Sequence, residues 1–213
     1  MANLLILGAG GHAKVVADIA LLMNKWENIA FLDDKKKINP IGDIPIIGKL
    51  KDYTLLKNKY QYAFVAIGNN KLRFEWFERL SNEGFIIPTL IHPFSAVSKF
   101  TSIGQGTVIM GGVVINPNAK IGRACIINTS SSIDHDCLLA DSVHISPGVH
   151  IGGTVNIGEN TWACLGSSII NNVNIGSNVI IAAGAAVINS VPDNVMVTGI
   201  PATIKKKSEM IKK

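Results

Sequence analysis

The stretch Ile103–Ile127 reads IGQGTVIMGGVVINPNAKIGRACII. A large aliphatic residue returns every six positions, at Ile103, Ile109, Ile115, Ile121 and Ile127. Stepping outward in sixes gives Val97 before it, then Ile133, Leu139, Ile145, Ile151, Ile157, Ala163, Ile169, Ile175, Ile181 and Val187 after it. Fifteen of these sixteen anchors are Val, Ile or Leu, and no insertion breaks the phase. Four residues after each anchor the side chain is small or β-branched, from Thr101 to Val191. Neither the 3.6-residue period of a helix nor the two-residue period of a strand produces that beat. A solenoid does: each hexad is one short strand and a corner, with the anchor and the small residue pointing inward. Three hexads to a coil give a little over five coils, stacked to about 25 Å at strand spacing.

Only Asp134, Asp136, Asp141 and Glu159 are acidic between Val97 and Pro192, and only Lys99, Lys120 and Arg123 are basic. A solenoid with so little charge on its outside is expected to bury part of that surface against copies of itself. The first 92 residues follow another rhythm. An apolar run, Asn3–Leu7, leads into Gly8-Ala9-Gly10-Gly11-His12 and a helical pattern over 13–23. Ile29–Leu32 ends in Asp33-Asp34, and Ala63–Ile67 ends in Gly68-Asn69-Asn70 before a charged helix over 71–83. Alternating strands and helices predict a parallel α/β sheet with its ligand loops at the carboxyl ends of the strands. The fold expected is therefore an α/β Rossmann-like unit over 1–92 and an all-β solenoid over 93–213. The glycine loop suits a phosphate at a helix N-terminus, although GAGGH departs from GxGxxG because Ala13 occupies the third position.

Composition narrows the function. Hydrophobic residues make up 47% of the 213 and charged residues 16%, which excludes a disordered chain. The net charge of +5 comes from two clusters, Lys35–Lys37 and the tail lysines 205, 206, 207, 212 and 213. Without those eight, 12 basic residues face 15 acidic ones, and no basic stripe is interleaved with aromatics, so no nucleic-acid partner is expected. Cys125, Cys137 and Cys164 form no CxxC pair. No leader, membrane insertion or metal is expected, and a reduced cytoplasmic setting fits.

The segment Ser130–Cys137, SSSIDHDC, departs from the plain repeat. His135 follows anchor Ile133 by two residues, at or near an outward corner. Acyl transfer to an amine or hydroxyl needs a base near neutral pH, and a neighbouring carboxylate holds the imidazole tautomer. Asp134 and Asp136 both flank His135, and the sequence leaves the choice between them open. His144 and His150 occupy the sixth hexad position, near other corners, where they could face the same groove. The two inward cysteines, Cys125 and Cys137, read as core.

The hexads resemble those of the hexapeptide-repeat acyltransferases, whose fold is a left-handed parallel β-helix assembled as a homotrimer with acetyl-CoA between adjacent helices. LILGAGGHAKVV, FLDD, AIGNN, LIHP, NTSSSIDHDC and VTGIPA together resemble the sialic-acid O-acetyltransferase-like family. More closely, they resemble the bacterial nucleotide-4-amino-sugar N-acetyltransferases of the bacillosamine type. That resemblance implies transfer from acetyl-CoA to the 4-amine of a nucleotide-linked amino sugar, with O-acetylation of a glycan as the nearest alternative. It implies that His135 is the general base, that the family's usual Glu partner falls on Asp136, and that His144 lies near the thioester. It implies that the Gly153 amide contacts the acetyl oxygen. Acetyl-CoA is expected along Ala183 and Gly184 and at Gly199, Pro201 and Lys205. The nucleotide positions carry over to Gly10, Gly11, His12, Asp33, Asp34, Gly68 and Asn69.

Overall fold

The computed structural model describes residues 2–35 and 41–207. Lys36, Lys37, Lys212 and Lys213 of the two basic clusters lie outside the described residues. The chain divides into two compact units, Met1–Pro93 and Phe94–Lys213.

In the first unit, β1 (Ala2–Leu7), α1 (Gly11–Leu22), β2 (Trp26–Leu32), β3 (Ile46–Gly48), β4 (Tyr62–Val65) and α2 (Asn70–Asn82) follow in chain order. The strands form a parallel sheet in the order β3-β2-β1-β4. Central β1 is buried on both faces, which is why Leu4, Leu5, Ile6 and Leu7 run on without alternation. Ala13, Ala17 and Ala20 let α1 approach the sheet closely, and α2 buries Trp76, Phe77 and Leu80. The glycines expected as loop already open α1, with Gly10 as its N-cap in extended conformation. Edge strand β3 and the 3-10 turn Leu50–Leu56 carry no periodic signal in the sequence, being too short for one.

The second unit is a parallel β-helix. Every hexad from 96 to 187 forms a two-residue strand, one residue outward and the anchor inward. Each anchor pairs with the anchor 18 residues on, as in Ile115–Ile133, Ile133–Ile151 and Ile151–Ile169. Three faces result. Face I presents Val108, Ile126, His144, Trp162 and Ile180; face II presents Ala96, Val114, Ser132, His150, Ser168 and Ala186; face III presents Ser102, Lys120, Leu138, Asn156 and Asn174. Cys125, Cys137, Val143, Val149 and Val155 fill the interior.

The corners explain the rest of the hexad. Three residues after each anchor, from Gly106 to Gly184, the backbone φ is positive at every corner. That conformation favours Gly, Asn and Asp, which supply most of these positions. Gly104 and Gly122 serve close stacking instead. A Cβ on Gly122 would lie 2.6 Å from the Ala140 carbonyl carbon of the next coil. The phase ends after Val187 because the next anchor would be Asp193. A longer strand, Val195–Thr198, instead continues face I and turns back antiparallel along Thr203–Lys207.

Candidate active site

Asp134, His135 and Asp136 form the corner between faces II and III. Successive coils stack their equivalents 18 residues apart, so Asn116 lies below Asp134, Pro117 below His135 and Asn118 below Asp136. Asn116 Nδ2 donates to Asp134 Oδ1 at 2.7 Å, and that same oxygen accepts the His135 backbone N–H at 2.8 Å. Asp134 is thus held by the backbone and by Asn116. Asp136 stands in the left-handed conformation, φ 58°. Its Oδ2 lies 2.8 Å from His135 Nδ1, and its Oδ1 accepts from Asn118 Nδ2 at 3.1 Å. Of the two acids the sequence left open, Asp136 is the one on the ring.

The coil above makes room for the imidazole. Gly153 is the equivalent of His135 one coil on, and a Cβ there would meet His135 Cε1 and Nε2, each at 2.6 Å. The Nε2 edge therefore lies against bare backbone. The Gly153 N–H makes no hydrogen bond among the described residues, while neighbouring Thr154 donates its N–H to the His135 carbonyl at 2.9 Å. A basic nitrogen and an unpartnered amide stand side by side.

The hydrogen bond to Asp136, aided by the charges of both flanking acids, raises the His135 pKa above its ordinary value. The same hydrogen bond, with that from Asn118, holds the Asp136 carboxyl below the usual carboxylate range. The Asn116 amide and the His135 backbone N–H lower Asp134 likewise. The His135 side chain is 58% exposed, open to an incoming molecule. Cys137, two residues on, is buried; burial pushes its thiol pKa up, and its Sγ donates to the Gly152 carbonyl. It is interior filling, as its hexad position suggests.

His144 and His150 do not share one face of the chain. Both lie within strands rather than near corners, on different faces. His144, on face I, stacks on Trp162 with centroids 5.8 Å apart and planes 12° from parallel, and Trp162 Nε1 donates to Ser146 Oγ. His150, on face II, meets Ser132 Oγ through Nδ1 at 2.8 Å. Face I is the side of the prism opposite the corner that carries His135, so one chain does not bring His144 to His135. Ala183 and Gly184 lie at the edge between faces I and II. There the Gly199 carbonyl accepts the Ala186 N–H, and Ala202 donates back to Ala186, which seats the turn around Pro201 beside Gly184. Lys205 is exposed on the strand that follows.

In the first unit the three predicted loops lie at the carboxyl ends of parallel strands. A Cβ on Gly10, Gly11 or Gly68 would meet nothing within 4 Å, so these glycines border open space. Gly8 differs: its φ is 100°, and a Cβ would lie 2.9 Å from the Ala66 carbonyl oxygen. Asp33 braces the glycine turn, accepting the Ala9 N–H at 2.8 Å and the Lys35 N–H at 2.9 Å. Asp34 accepts the Leu50 N–H, and Asn69 caps α2 through the Leu72 N–H. The α1 N-terminus has no side-chain cap. His12 Nε2 is buried with no hydrogen-bond partner. Burial, with the Arg73 guanidinium nearby, lowers the His12 pKa to about 3, so the ring is neutral at working pH.

Sequence reasoning passed over three residues here. Asn116 and Asn118 were findable, because each stands one coil length before an acid. Arg73 was not singled out; its guanidinium, 1% exposed, donates to the Ile67 and Gly68 carbonyls at 3.2 Å and to Asn70 Oδ1 at 3.1 Å. A lone arginine on the inner side of a helix that otherwise buries Trp76, Phe77 and Leu80 was the available signal. No group of three or more His, Cys, Asp or Glu suited to a metal occurs among the described residues.

Residues 3–80 match the PglD N-terminal domain family. The GDP-perosamine N-acetyltransferase of Escherichia coli O157:H7 is 34% identical over 172 residues, covering 77% of this chain and 76% of that protein. Among solved structures, the acetyltransferase domain of PglB from Neisseria gonorrhoeae, in complex with acetyl coenzyme A, superposes with a TM-score of 0.90 at 38% identity, over 95% of this chain and 98% of that one. PerB from Caulobacter crescentus, in complex with CoA and GDP-perosamine, gives 0.91 at 34% identity over 96% and 98%. The motifs of both units, the β-helix and a relative aligned over three quarters of the chain agree: the chain belongs to the left-handed β-helix, hexapeptide-repeat N-acetyltransferases of nucleotide-linked amino sugars.

Proposed function

We propose that this enzyme transfers the acetyl group of acetyl-CoA directly to the 4-amine of a nucleotide-linked amino-deoxy sugar, with His135 as general base. The observation that carries this is the His135–Asp136 pair, 2.8 Å apart, whose free Nε2 lies against the unpartnered Gly153 amide. The amine adds to the thioester carbonyl, forming the C–N bond and a tetrahedral oxyanion, and collapse of that species re-forms the carbonyl and breaks the C–S bond. Nε2 takes the ammonium proton, the Gly153 N–H stabilises the developing oxyanion, and the proton passes on to the departing CoA thiolate. Asp136 fixes the ring and stabilises the imidazolium; no covalent enzyme intermediate is required.

The assembly is a homotrimer with face II turned toward the three-fold axis. Face II presents Ala96, Val114, Ser132, His150, Ser168 and Ala186 between its two edges, with no Lys, Arg, Asp or Glu among them. One edge carries His135 and Gly153; the other carries Gly184 and the Gly199 turn, with His144 and Trp162 just beyond on face I. Packing three such prisms sets the first edge of each chain against the second edge of the next, so donor and base meet between chains. The Gly10–Gly11 turn and the uncapped α1 N-terminus hold the nucleotide phosphates. No helix among the described residues is long and apolar enough to cross a membrane, and the supply of acetyl-CoA places the reaction in the cytoplasm.

The test presents purified protein and acetyl-CoA with UDP-, dTDP- and GDP-linked 4-amino sugars and their 4-hydroxy counterparts, reading released thiol. N-acetylation of an amine, with His135→Ala lowering kcat by about 10² and leaving acetyl-CoA affinity within twofold, is expected. Turnover of the hydroxyl sugars alone, or a fully active His135→Ala, would overturn the reading.

A further inference from the structure

In the first unit the strand order β3-β2-β1-β4 reverses direction between β1 and β4: the chain steps outward from β1 to β3 on one side, then crosses to β4 on the other. In open parallel sheets ligands sit in the crevice outside the carboxyl ends of the strands at such a reversal. Its two walls here are the glycine turn after β1 and residues 67–70 after β4. The walls leave the sheet together. The Ala66 N–H donates to the Leu7 carbonyl at 2.8 Å, and a Cβ on Gly8 would lie 2.9 Å from the Ala66 carbonyl oxygen.

Arg73 stands beneath the second wall. It is 1% exposed, on the inward side of α2 with Trp76, Phe77 and Leu80. Arginine is rarely buried so fully, and for stability alone a well-packed apolar side chain of similar volume often serves as well. What the guanidinium adds is a fork of donors. Nη1 lies 3.2 Å from both the Ile67 and the Gly68 carbonyl oxygens, and Nη2 donates to Asn70 Oδ1 at 3.1 Å. In a planar trans peptide the carbonyl of one residue and the N–H of the next point in opposite directions. Two carbonyls turned inward onto the guanidinium therefore turn the Gly68 and Asn69 N–H groups away from it. Neither N–H makes a hydrogen bond among the described residues, and Gly68 borders open space. The charge of Arg73 is also felt at the opposite wall, where it joins burial in keeping His12 neutral.

We infer that Arg73 is a positioning residue for the nucleotide: by holding the Ile67 and Gly68 carbonyls it aims the Gly68 and Asn69 amides at acceptor oxygens of that ligand. The inference rests on the acetyl-transfer reading above. It adds a residue that is itself buried out of a ligand's reach and acts through the backbone of the loop.

The experiment compares the parent with Arg73→Met, which keeps a long apolar stem and removes the donors, and with Asn70→Ala, which removes one anchor of the guanidinium and leaves the interior intact. Both are assayed well below their melting temperatures with two acceptors, the nucleotide-linked 4-amino sugar that the parent turns over and the methyl glycoside of the same amino sugar, which has no nucleotide. For the nucleotide sugar, Arg73→Met is expected to raise KM about tenfold and Asn70→Ala about threefold, with kcat and the KM for acetyl-CoA within twofold. For the methyl glycoside, kcat/KM should agree among all three proteins, whereas a side chain that merely braces the fold would lower it alongside the other. Calorimetric titration with the matching free nucleoside diphosphate should show Kd weakening in the same proportion as KM. An unchanged KM for the nucleotide sugar in the folded variants, or equal losses with both acceptors, would overturn the assignment; where Arg73→Met fails to fold, Asn70→Ala decides. A parent that acetylates the amino sugar while both variants keep its KM defeats this inference alone. A parent that acetylates no amino sugar defeats the underlying reading with it.

Discussion

Replacing Gly153 with alanine tests the corner geometry with a single methyl group. Gly153 has no left-handed φ, so the backbone accepts alanine without strain, and the N–H proposed to stabilise the oxyanion is retained. The new Cβ, however, falls 2.6 Å from both Cε1 and Nε2 of His135. An ordinary carbon contact is about 3.5 Å, so the ring must retreat by about 1 Å. A retreat of that size breaks the 2.8 Å contact with Asp136 Oδ2 or carries Nε2 away from the amine. Misplacement by about 1 Å costs on the order of 10² in rate. We therefore expect kcat to fall about 10²-fold with KM for acetyl-CoA little changed. The half-exposed ring swings into solvent without disturbing the interior, so the melting temperature should stay within about 2 °C. Steady-state thiol release and a thermal melt read both quantities. A variant that melts like the parent and keeps kcat within threefold would refute the claim that His135 works from this position.

The pH profile follows from the same pair. Because the base must be neutral and its pKa is raised by Asp136, kcat should fall as pH drops through a midpoint above about 6.5. Asp136→Asn, which tolerates the left-handed corner, should move that limb to lower pH while reducing kcat; a limb that stays in place would detach Asp136 from the ring. In the first unit, Arg73→Met strands the Ile67 and Gly68 carbonyls, and urea unfolding should register a loss of about 2–4 kcal/mol; a loss below about 0.5 kcal/mol would mean that the guanidinium braces nothing. Gly122→Ala drives a Cβ against the Ala140 backbone and should cost about 1–3 kcal/mol, whereas Gly10→Ala, with nothing within 4 Å, should melt like the parent and bind nucleotide more weakly.

The β-helix was legible because one physical demand, a large inward aliphatic at each hexad, recurs at every strand and leaves no competing period. The same regularity exposed Asp134, His135 and Asp136 as an interruption. What the linear reading missed was vertical. Asn116 and Asn118 act on residues 18 positions away, and Gly153 matters because of a ring in the coil beneath it; such relations appear only once the chain is wound into coils of three hexads. Placement around the prism was equally hidden: His144 and His135 are nine residues apart, yet half a coil separates them onto opposite sides. In the first unit Asp33, Asp34 and Asn69, expected as ligand groups, are each seen bracing a loop or a helix start. Arg73 escaped because its buried position depends on tertiary packing around α2, which charge alone argues against.

The fixed rise of the coil has a further consequence. Between His135 and the Gly199 turn the chain climbs about three and a half coils, or ~17 Å at strand spacing. That climb is quantised: only whole 18-residue units can be gained or lost without throwing every anchor out of phase. On the proposed reading the solid acts as a ruler, holding the place where a long thioester would be gripped at a set distance from the place where it would react. Deleting one complete rung should leave a foldable prism of the wrong length, able to grip a donor but not to present its reactive end.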